Sequence, residues 1–108
     1  MKLIKAFVRS RKARDVMDNL AEAGFFGVTR KSILGRGQQR GLKVRDMYYG
    51  ELPETMFMIV LDDNRKAEAM KVISATCRTG KNGAYGDGKI FIIPVEKVIT
   101  ISDGSVES

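Results

Sequence analysis

The sequence contains no histidine and only a single cysteine. Histidine is the commonest general base and a frequent metal ligand, so the usual centre of an acid–base or metal-dependent enzyme is missing. Cys77 falls within an apolar helical pattern, which indicates a buried, reduced thiol rather than a disulfide, a metal ligand or a nucleophile. No serine stands in an elbow motif, and Asp62 and Asp63 are better explained as helix caps than as an acid–base pair. We therefore predict that the protein is not an enzyme.

Long apolar runs are also missing. No stretch approaches the roughly 20 residues that a membrane-spanning helix needs. The first residues, MKLIK, lead directly into a strand-like pattern and show no signal-peptide organisation. We predict a cytoplasmic protein without membrane insertion. Its 108 residues are expected to form one domain, 1–108, near the size at which oligomerisation helps stability.

Acidic residues are absent from the segment 30–45, although the chain as a whole has 13 of them. This segment holds six basic residues, a number equal to the formal net charge of +6: Arg30, Lys31, Arg36, Arg40, Lys43 and Arg45. The remaining chain is therefore balanced. A stretch of one sign can be a solvated loop, but it usually attracts an anion such as a phosphate, a carboxylate, a nucleic acid or an acidic protein surface.

Glycine, in contrast, is concentrated in one turn. Residues 79–89, TGKNGAYGDGK, contain four glycines and place a lysine near each end. Glycines allow positive φ, so successive N–H groups can turn inward and form an anion-binding nest beside the two ammonium groups. The turn lacks the Gly-Lys-Ser/Thr ending of a P-loop. On spacing alone a helix cap at Gly80 followed by a hairpin turn at residues 86–88 is slightly favoured.

The apolar pattern alternates between the period of strands and the period of helices. One helix follows Ser10, which can cap it, and ends at Gly24; a second follows Asp62-Asp63-Asn64, which supplies N-cap chemistry. Strands are predicted over residues 2–9, 25–34, 55–61, 89–93 and 95–101, with a long loop at 35–53 and a polar tail at 102–108. This order predicts an α+β, ferredoxin-like βαββαβ sandwich with an extra short C-terminal strand.

Two helices can cover only one face of such a sheet, yet both faces are apolar. In the third strand Phe57, Ile59 and Leu61 alternate with Met56, Met58 and Val60, and in the fourth Ile90 and Ile92 alternate with Phe91 and Ile93. An exposed apolar face is an aggregation hazard unless something buries it. We therefore expect a homo-oligomer in which copies of the chain bury the second face.

Several motifs in chain order carry a family resemblance. These are MKLIKA at 1–6, GRGQQRG at 35–41, RTGK at 78–81, GDGKIFI at 86–92 and PVE at 94–96. Together they resemble the PII signal-transduction family, whose members include the GlnB and GlnK proteins. The likeness covers nearly the whole chain, and its Thr-Gly followed by Gly-Asp-Gly-Lys-Ile-Phe is specific enough to favour the anion-binding interpretation of the glycine turn.

The resemblance implies a homotrimer that binds ATP or ADP in the clefts between subunits. It also implies sensing of 2-oxoglutarate through a Mg²⁺ ion bridged to ATP, and contact with targets through a long loop, the T-loop, at about 36–54. By position in the family motifs, the residues implied for nucleotide binding are Thr29, Gly35, Gly37, Gln38, Val60, Gly86, Asp87, Gly88 and Lys89. The residues implied for 2-oxoglutarate and metal are Gln39, Arg40 and Gly41.

The chain departs from the family pattern at several places. Thr100 and Ser102 stand where two arginines usually reach the phosphates, Met58 replaces an acidic residue near the adenine, and Glu54 replaces a lysine near the oxoacid. Residues 82–85 are an insertion in the glycine turn. The short T-loop looks most like the NifI branch, whose members occur with nitrogenase and can pair with a paralogous PII subunit. Partner contacts are expected from Arg36, Arg40, Lys43, Arg45, Met47, Tyr48 and Tyr49.

Two other functions fit parts of the sequence. One is a PII-like regulator of another target, such as a transporter, with an altered ligand set. The other is a small basic ferredoxin-like domain that binds single-stranded RNA, for which a sequence pI of about 9.7 is the expected footprint. Such domains stack bases on paired aromatics, whereas here the corresponding runs offer only Phe7 and Phe57. We therefore do not expect nucleic acid as a partner.

Overall fold

The computed structural model describes residues 1–36, 43–44, 47–48, 51–84 and 86–108. Two α-helices and four long strands form its body, and four two-residue strands are added at loops. The elements are β1 (Lys2–Arg9), α1 (Ala13–Glu22), β2 (Thr29–Arg36), β3 (Lys43–Val44), β4 (Met47–Tyr48), β5 (Glu51–Leu61), α2 (Lys66–Cys77), β6 (Gly88–Pro94), β7 (Val98–Ile99) and β8 (Val106–Glu107). Short 3₁₀ turns, Ser10–Lys12 and Asp63–Arg65, precede the two helices.

The four long strands form one antiparallel sheet in the order β2-β5-β1-β6. Both helices lie on the same side of it, since the buried positions of β1 alternate and face the apolar stripes of α1 and α2. This arrangement confirms the predicted α+β ferredoxin-like fold. The helix connections place β1 and β5 in the centre, which is why both are buried on the helix side along most of their length.

The core lies between the helices and the central strands. Ile4 on β1 pairs with Ile59 on β5, and Ala6 pairs with Phe57, so these side chains share the helix side of the sheet. All are at most 3% exposed. The cluster is completed by Val8, Ala13, Val16, Leu20, Phe25, Leu61, Ala69, Ile73 and Cys77. Cys77 is a buried free thiol, as predicted, and burial raises its pKa to about 11.

The opposite side of the sheet, called here the open face, carries large apolar side chains among charged ones and is uncovered by any part of the chain that the structure describes. Phe91, Val60 and Ile93 on this side are 48%, 46% and 40% exposed. Phe7 on β1 meets Phe91 on β6 edge to face, with ring centroids 5.7 Å apart. This pair is an aromatic contact on the open face. Phe57, the other aromatic in the runs where RNA-binding domains stack bases, lies buried on the helix side.

Neither predicted helix cap forms a side-chain capping bond, although the helices are where the pattern placed them and Asp62 does stand at the N-cap of the 3₁₀ turn before α2. The Ser10 hydroxyl lies 3.2 Å from the Thr55 hydroxyl on β5, so the 3₁₀ turn rather than a side-chain cap begins α1. Asp62 makes no side-chain capping bond, and Asp63 binds the N-terminal amine at 3.1 Å and Lys2 at 3.3 Å. The amine of Met1 and the ammonium of Lys2 attract the carboxylate more strongly than a backbone N–H does.

The C-terminal residues also differ from the prediction. The expected strand at 95–101 is reduced to Val98–Ile99, and part of the expected polar tail, Val106–Glu107, pairs with it as an antiparallel hairpin. Gly104 adopts φ +70°, and Asp103 accepts a hydrogen bond from the Ser105 N–H at 2.9 Å. These two features close the turn that reverses the chain.

The end of α1 is held by a side chain from the start of α2. Gly24 adopts φ +91°, which confirms it as the left-handed residue after the helix. Arg65 donates from Nη2 to the Ala23 carbonyl at 3.1 Å, and its guanidinium carbon lies 4.1 Å from the centre of the Phe25 ring. The two helices are therefore joined at one end by a hydrogen bond and a cation–π contact.

Strand β2 begins at Thr29 and not at residue 25 as predicted, and both β2 and β5 extend further than predicted toward the loop that joins them. They stay paired as far as Arg36 and Glu51, with Leu34 opposite Pro53. The connection between them is therefore 37–50, whereas loss of periodicity had indicated a loop over 35–53. Within this connection, Lys43 pairs with Tyr48 and Val44 with Met47. Pro53 fits into β5 because the pairing with β1 ends at Glu54, so at Pro53 the strand is paired on the β2 side alone.

Candidate functional site

The glycine turn joins the end of α2 to the start of β6. The Arg78 N–H closes the last turn of the helix on the Ser74 carbonyl at 3.0 Å, after which the chain is extended. Gly80, Gly83 and Gly88 then adopt φ of +65°, +74° and +130°. Such angles strain residues with a β-carbon, so the glycines are required here by the path of the backbone. The turn therefore has a defined backbone conformation of its own, and it is not a simple helix cap followed by a two-residue hairpin.

Asp87 is the hydrogen-bonding centre of this turn. Its Oδ1 accepts the Thr79 hydroxyl at 2.6 Å, and its Oδ2 accepts the N–H groups of Thr79 at 2.9 Å and Ala84 at 2.7 Å. These bonds stabilise the ionised carboxylate, so the pKa of Asp87 falls to about 2, with the Thr79 hydroxyl as the largest cause. The Asp87 N–H is also occupied, because it donates to the Ala84 carbonyl at 3.1 Å.

The turn is fastened to the end of β1 at two points. Arg9 donates from Nε to the Gly86 carbonyl at 2.8 Å. Gly88 lies so close to β1 that a β-carbon there would stand 2.2 Å from the Phe7 carbonyl oxygen. Only glycine permits this approach, and it fixes where β6 begins. The backbone of 86–88 is therefore held against the central part of the sheet.

Lys89 follows directly and is exposed. It pairs with Phe7 in the ladder, which places it on the open face at an edge strand. Arg9 occupies the same side, opposite Glu54. A cation beside glycine backbone in left-handed conformation is the chemistry that holds a polyphosphate. The Asp87 charge in the middle of this group is offset by its hydrogen bonds and by Arg9.

Thr29 and Val60 lie elsewhere on the molecule. Thr29 begins β2 opposite Met58, and Val60 is two residues further along β5 on the open face. Since β5 and β1 separate β2 from β6, Thr29 stands three strand spacings from Lys89, roughly 14 Å. Val60 stands two spacings from Lys89 and four positions further along the ladder, because it pairs with Leu3 whereas Lys89 pairs with Phe7. One chain therefore brings together Gly86, Asp87, Gly88 and Lys89, and separately Thr29 and Val60, but does not join the two groups.

Most predicted T-loop residues lie outside the residues that the structure describes. These are Gly37, Gln38, Gln39, Arg40, Gly41, Arg45 and Tyr49. Gly35 and Arg36 are in the last positions of β2, while Lys43, Met47 and Tyr48 belong to the β3–β4 pair. The predicted ligand of Mg²⁺, Gln39, is thus in the undescribed part. Elsewhere, the described residues contain no group of three or more acidic or cysteine side chains that could hold a metal.

Sequence reasoning missed the contribution of Arg9 and the tether between Thr79 and Asp87. Arg9 is 77 positions away from Gly86 in the chain, so no local pattern connects them. The eight-residue separation of Thr79 and Asp87 is shorter, and both flank the glycines. A threonine and an aspartate at the two ends of a glycine turn are a signal that sequence alone offers, since both side chains bond readily to turn backbone.

An open depression of about 300 Å³ lies beside the turn, lined by Arg11, Lys12, Asp15, Arg78, Thr79 and Gly80. It is on the α1 side, away from Lys89. In the described part of the chain, no helix is both long and apolar enough to span a bilayer.

Comparison with known proteins agrees with these features. The family model for nitrogen regulatory protein P-II matches residues 1–105. A nitrogen fixation nifHD region glnB-like protein 1 of Methanococcus maripaludis is 44% identical over 101 residues, which cover 94% of this chain and 93% of the relative. The corresponding protein of Methanothermobacter marburgensis is also 44% identical, with the same coverage.

A nifHD2 region GlnB-like protein 1 of Methanosarcina barkeri is 40% identical over 104 residues, or 96% of both chains. Each relative matches nearly end to end, so the likeness includes the sheet, both helices and the glycine turn. The chain therefore belongs to the PII family of nitrogen regulatory proteins.

Proposed function

We propose that this protein is a non-enzymatic sensor of nitrogen and carbon status that binds ATP or ADP at the glycine turn. The observation that carries the proposal is the turn itself: the Gly86–Gly88 backbone is held in place by Arg9 and by the contact with Phe7, with the exposed Lys89 beside it. This arrangement has the N–H groups, the cation and the rigidity that a polyphosphate requires. Membership of the PII family supports the same assignment.

The nucleotide site is proposed to lie between subunits. Within one chain Thr29, assigned to the adenine side, stands three strand spacings, roughly 14 Å, from Lys89, and Val60 stands two spacings across and four ladder positions along from it. The residues of the adenine side and those of the phosphate side therefore lie at separate places on the open face of one chain. A neighbouring copy packed on the open face would supply the missing half. The apolar, partly exposed side chains of that face support a homotrimer or a trimer with a paralogous subunit.

A second effector, 2-oxoglutarate, is proposed to bind with Mg²⁺ at the root of the T-loop through Gln39, Arg40 and Gly41. Mg²⁺ prefers oxygen ligands in octahedral geometry, and an amide oxygen on a loop can join only when the oxoacid completes the set. Binding of 2-oxoglutarate should therefore require both ATP and Mg²⁺. Equal binding to the nucleotide-free protein would contradict this scheme.

The target is proposed to be nitrogenase or its electron-delivery partner, contacted through the T-loop. The support is the names of the relatives, which place GlnB-like proteins in nitrogen fixation gene regions. The loop combines Arg36, Arg40, Lys43 and Arg45 with Met47, Tyr48 and Tyr49. Basic residues accelerate approach to an acidic surface, and aromatic residues anchor in pockets once contact is made.

The test is a matrix of thermal-shift and calorimetric measurements with ATP, ADP, Mg²⁺ and 2-oxoglutarate. A nucleotide at 100 times its Kd should stabilise the protein by about 2.7 kcal/mol. That corresponds to several degrees in a domain of this size. No shift with either nucleotide at millimolar concentration would refute nucleotide sensing.

Lys89→Ala tests the assignment of the turn. Losing one charge-assisted contact to the phosphates should cost about 1.5–3 kcal/mol. ATP should therefore bind roughly tenfold more weakly or worse. Lys71→Ala, which removes the same charge from an exposed position on α2, is the control and should bind ATP like the wild type. Equal affinity of the two variants would reject Lys89 as a phosphate ligand.

A further inference from the structure

Asp87 sits within the turn proposed to bind phosphate, yet its hydrogen-bonding groups are directed at other residues of the same turn. Both carboxylate oxygens accept bonds from Thr79 and Ala84, and its N–H donates to the Ala84 carbonyl. A carboxylate repels phosphate, and no donor of Asp87 is left to attract one. Direct contact with the nucleotide is therefore the less suitable role for this residue.

The bonds of Asp87 divide the turn into two parts. They join Thr79 to Ala84 and to residue 87, and this closes a ring at the base of the turn. Residues 80–83 form an outer lobe beyond the ring, in which Lys81 and Asn82 are exposed and Gly80 and Gly83 allow the sharp bends. Asn82 and Gly83, two of the inserted residues, are thus kept apart from 86–89. Arg9, bound to the Gly86 carbonyl, fixes the other side of the ring.

We propose that Asp87 is a positioning residue: together with Thr79 and Arg9 it locks the glycine turn so that Gly86, Gly88 and Lys89 face the phosphates. This inference rests on the proposed nucleotide binding. Under this proposal Asp87 affects the affinity for nucleotide indirectly. Thr79, which carries no charge, affects that affinity as well. These hydrogen bonds are present before the nucleotide binds. The turn therefore loses less conformational entropy on binding, which raises the affinity.

Asp87→Asn distinguishes the two roles by the direction of the effect. If the carboxylate stood against the phosphates, its neutralisation would relieve repulsion and ATP would bind more tightly. If it is a lock, the amide replaces an acceptor oxygen by a donor facing other donors, and ATP should bind roughly five- to tenfold more weakly. Asp18→Asn, at an exposed position on α1, is the matched control and should leave the ATP affinity unchanged.

Thr79 provides the second half of the test. Thr79→Val keeps the shape of the side chain but removes the hydroxyl, so it should weaken ATP binding, as Asp87→Asn does. Thr79→Ser keeps the hydroxyl and should bind ATP with nearly wild-type affinity. Because both substitutions remove one shared bond, the double variant Thr79→Val with Asp87→Asn should bind no more weakly than Asp87→Asn alone. Additive losses would contradict a shared lock.

A measurement without ligand separates this inference from the proposed function. Amide hydrogen exchange of the ligand-free protein should be faster at Thr79 and Ala84 in Asp87→Asn than in the wild type, and unchanged in Asp18→Asn. If Lys89→Ala loses ATP but Asp87→Asn binds it as well as or better than the wild type, the inference fails and the proposed function stands. If the wild type binds no nucleotide, the proposed function fails. Unchanged exchange at both amides would by itself overturn the lock.

Discussion

At the scale of single residues, Gly88 is the position where the backbone itself demands glycine. Its φ is +130°, and an added β-carbon would stand 2.2 Å from the Phe7 carbonyl oxygen and 3.2 Å from the Val8 Cα. Both atoms belong to the backbone of the central strand β1, which cannot yield as a flexible side chain can. We expect Gly88→Ala to lower the free energy of unfolding by about 1–3 kcal/mol, measured by urea denaturation.

Two other glycines give the scale for this effect. Gly27 has open space around it and no left-handed φ, so Gly27→Ala should change the unfolding free energy little. Gly80 has open space but φ +65°, so Gly80→Ala should show the cost of the backbone conformation alone. If Gly88→Ala proves as stable as Gly27→Ala, the result contradicts the close contact between Gly88 and the backbone of β1.

The charge of Asp87 makes a second prediction, on acid stability. Hydrogen bonds from Thr79 and Ala84 lower its pKa from the usual 3.8 to about 2 in the folded protein, so the folded state favours the ionised form. The ionised Asp87 carboxylate therefore stabilises the folded protein fully above pH about 4, and this stabilisation is lost as the pH falls through about 2. The difference in unfolding free energy between wild type and Asp87→Asn should therefore shrink from pH 4 to pH 2. A constant difference over that range would show that the carboxylate does not hold these bonds.

At the scale of elements, Arg65 joins the end of α1 to the start of α2. It combines a hydrogen bond to the Ala23 carbonyl, an ion pair with Glu68 at 3.3 Å and a position over the Phe25 ring. Arg65→Lys keeps the charge but loses the planar group that performs the first and third of these. We expect a loss of roughly 1 kcal/mol in urea denaturation. Arg14→Lys, at an exposed position on α1, should leave the free energy of unfolding almost unchanged. An equal loss in both variants would show that the Arg65 contacts do not stabilise the protein.

The order and type of the main elements could be predicted because they depend on local periodicity. The stripe of Val16 and Leu20 and the glycine after α1 place that helix within a few residues, and alternation in β1 and β5 places the central strands. Sequence alone does not exclude a side-chain cap at Asp63, because its partners are the Met1 amine and Lys2. These groups are distant in the chain, and the folded sheet brings them near. The hairpin at Val106–Glu107 was missed because two residues are too few to show a period.

The candidate site was predictable in part for the same reason. The glycines and Lys89 are adjacent in sequence, so their chemistry is visible as a motif. The roles of Arg9 and Phe7 depend on the register between β1 and β6, and no local signal sets that register. The separation of Thr29 and Val60 from Lys89 likewise follows from strand order, which a linear motif does not contain.

At the scale of the whole molecule, the open face predicts assembly. We expect the wild type to sediment as an oligomer at micromolar concentration, because subunit contacts would bury the Phe7–Phe91 pair and its neighbours. Phe91→Asp places a charge in that contact and should produce monomers. Phe26→Asp is the matched control, since Phe26 is 80% exposed in the connection before β2, and it should remain assembled. A monomeric wild type would contradict the proposed trimer.

One strand takes part in the core, in the open face and in the candidate site. β1 faces the helices on one side, contributes Phe7 to the open face on the other, and binds the glycine turn through Arg9 and the Phe7 carbonyl. In a genetic screen for lost regulation, substitutions in β1 would therefore give compound phenotypes, in which folding, assembly and ligand response fail together. Loss of function at a β1 position would not identify a ligand contact, whereas a substitution at Lys89, outside that strand, could be assigned to one cause.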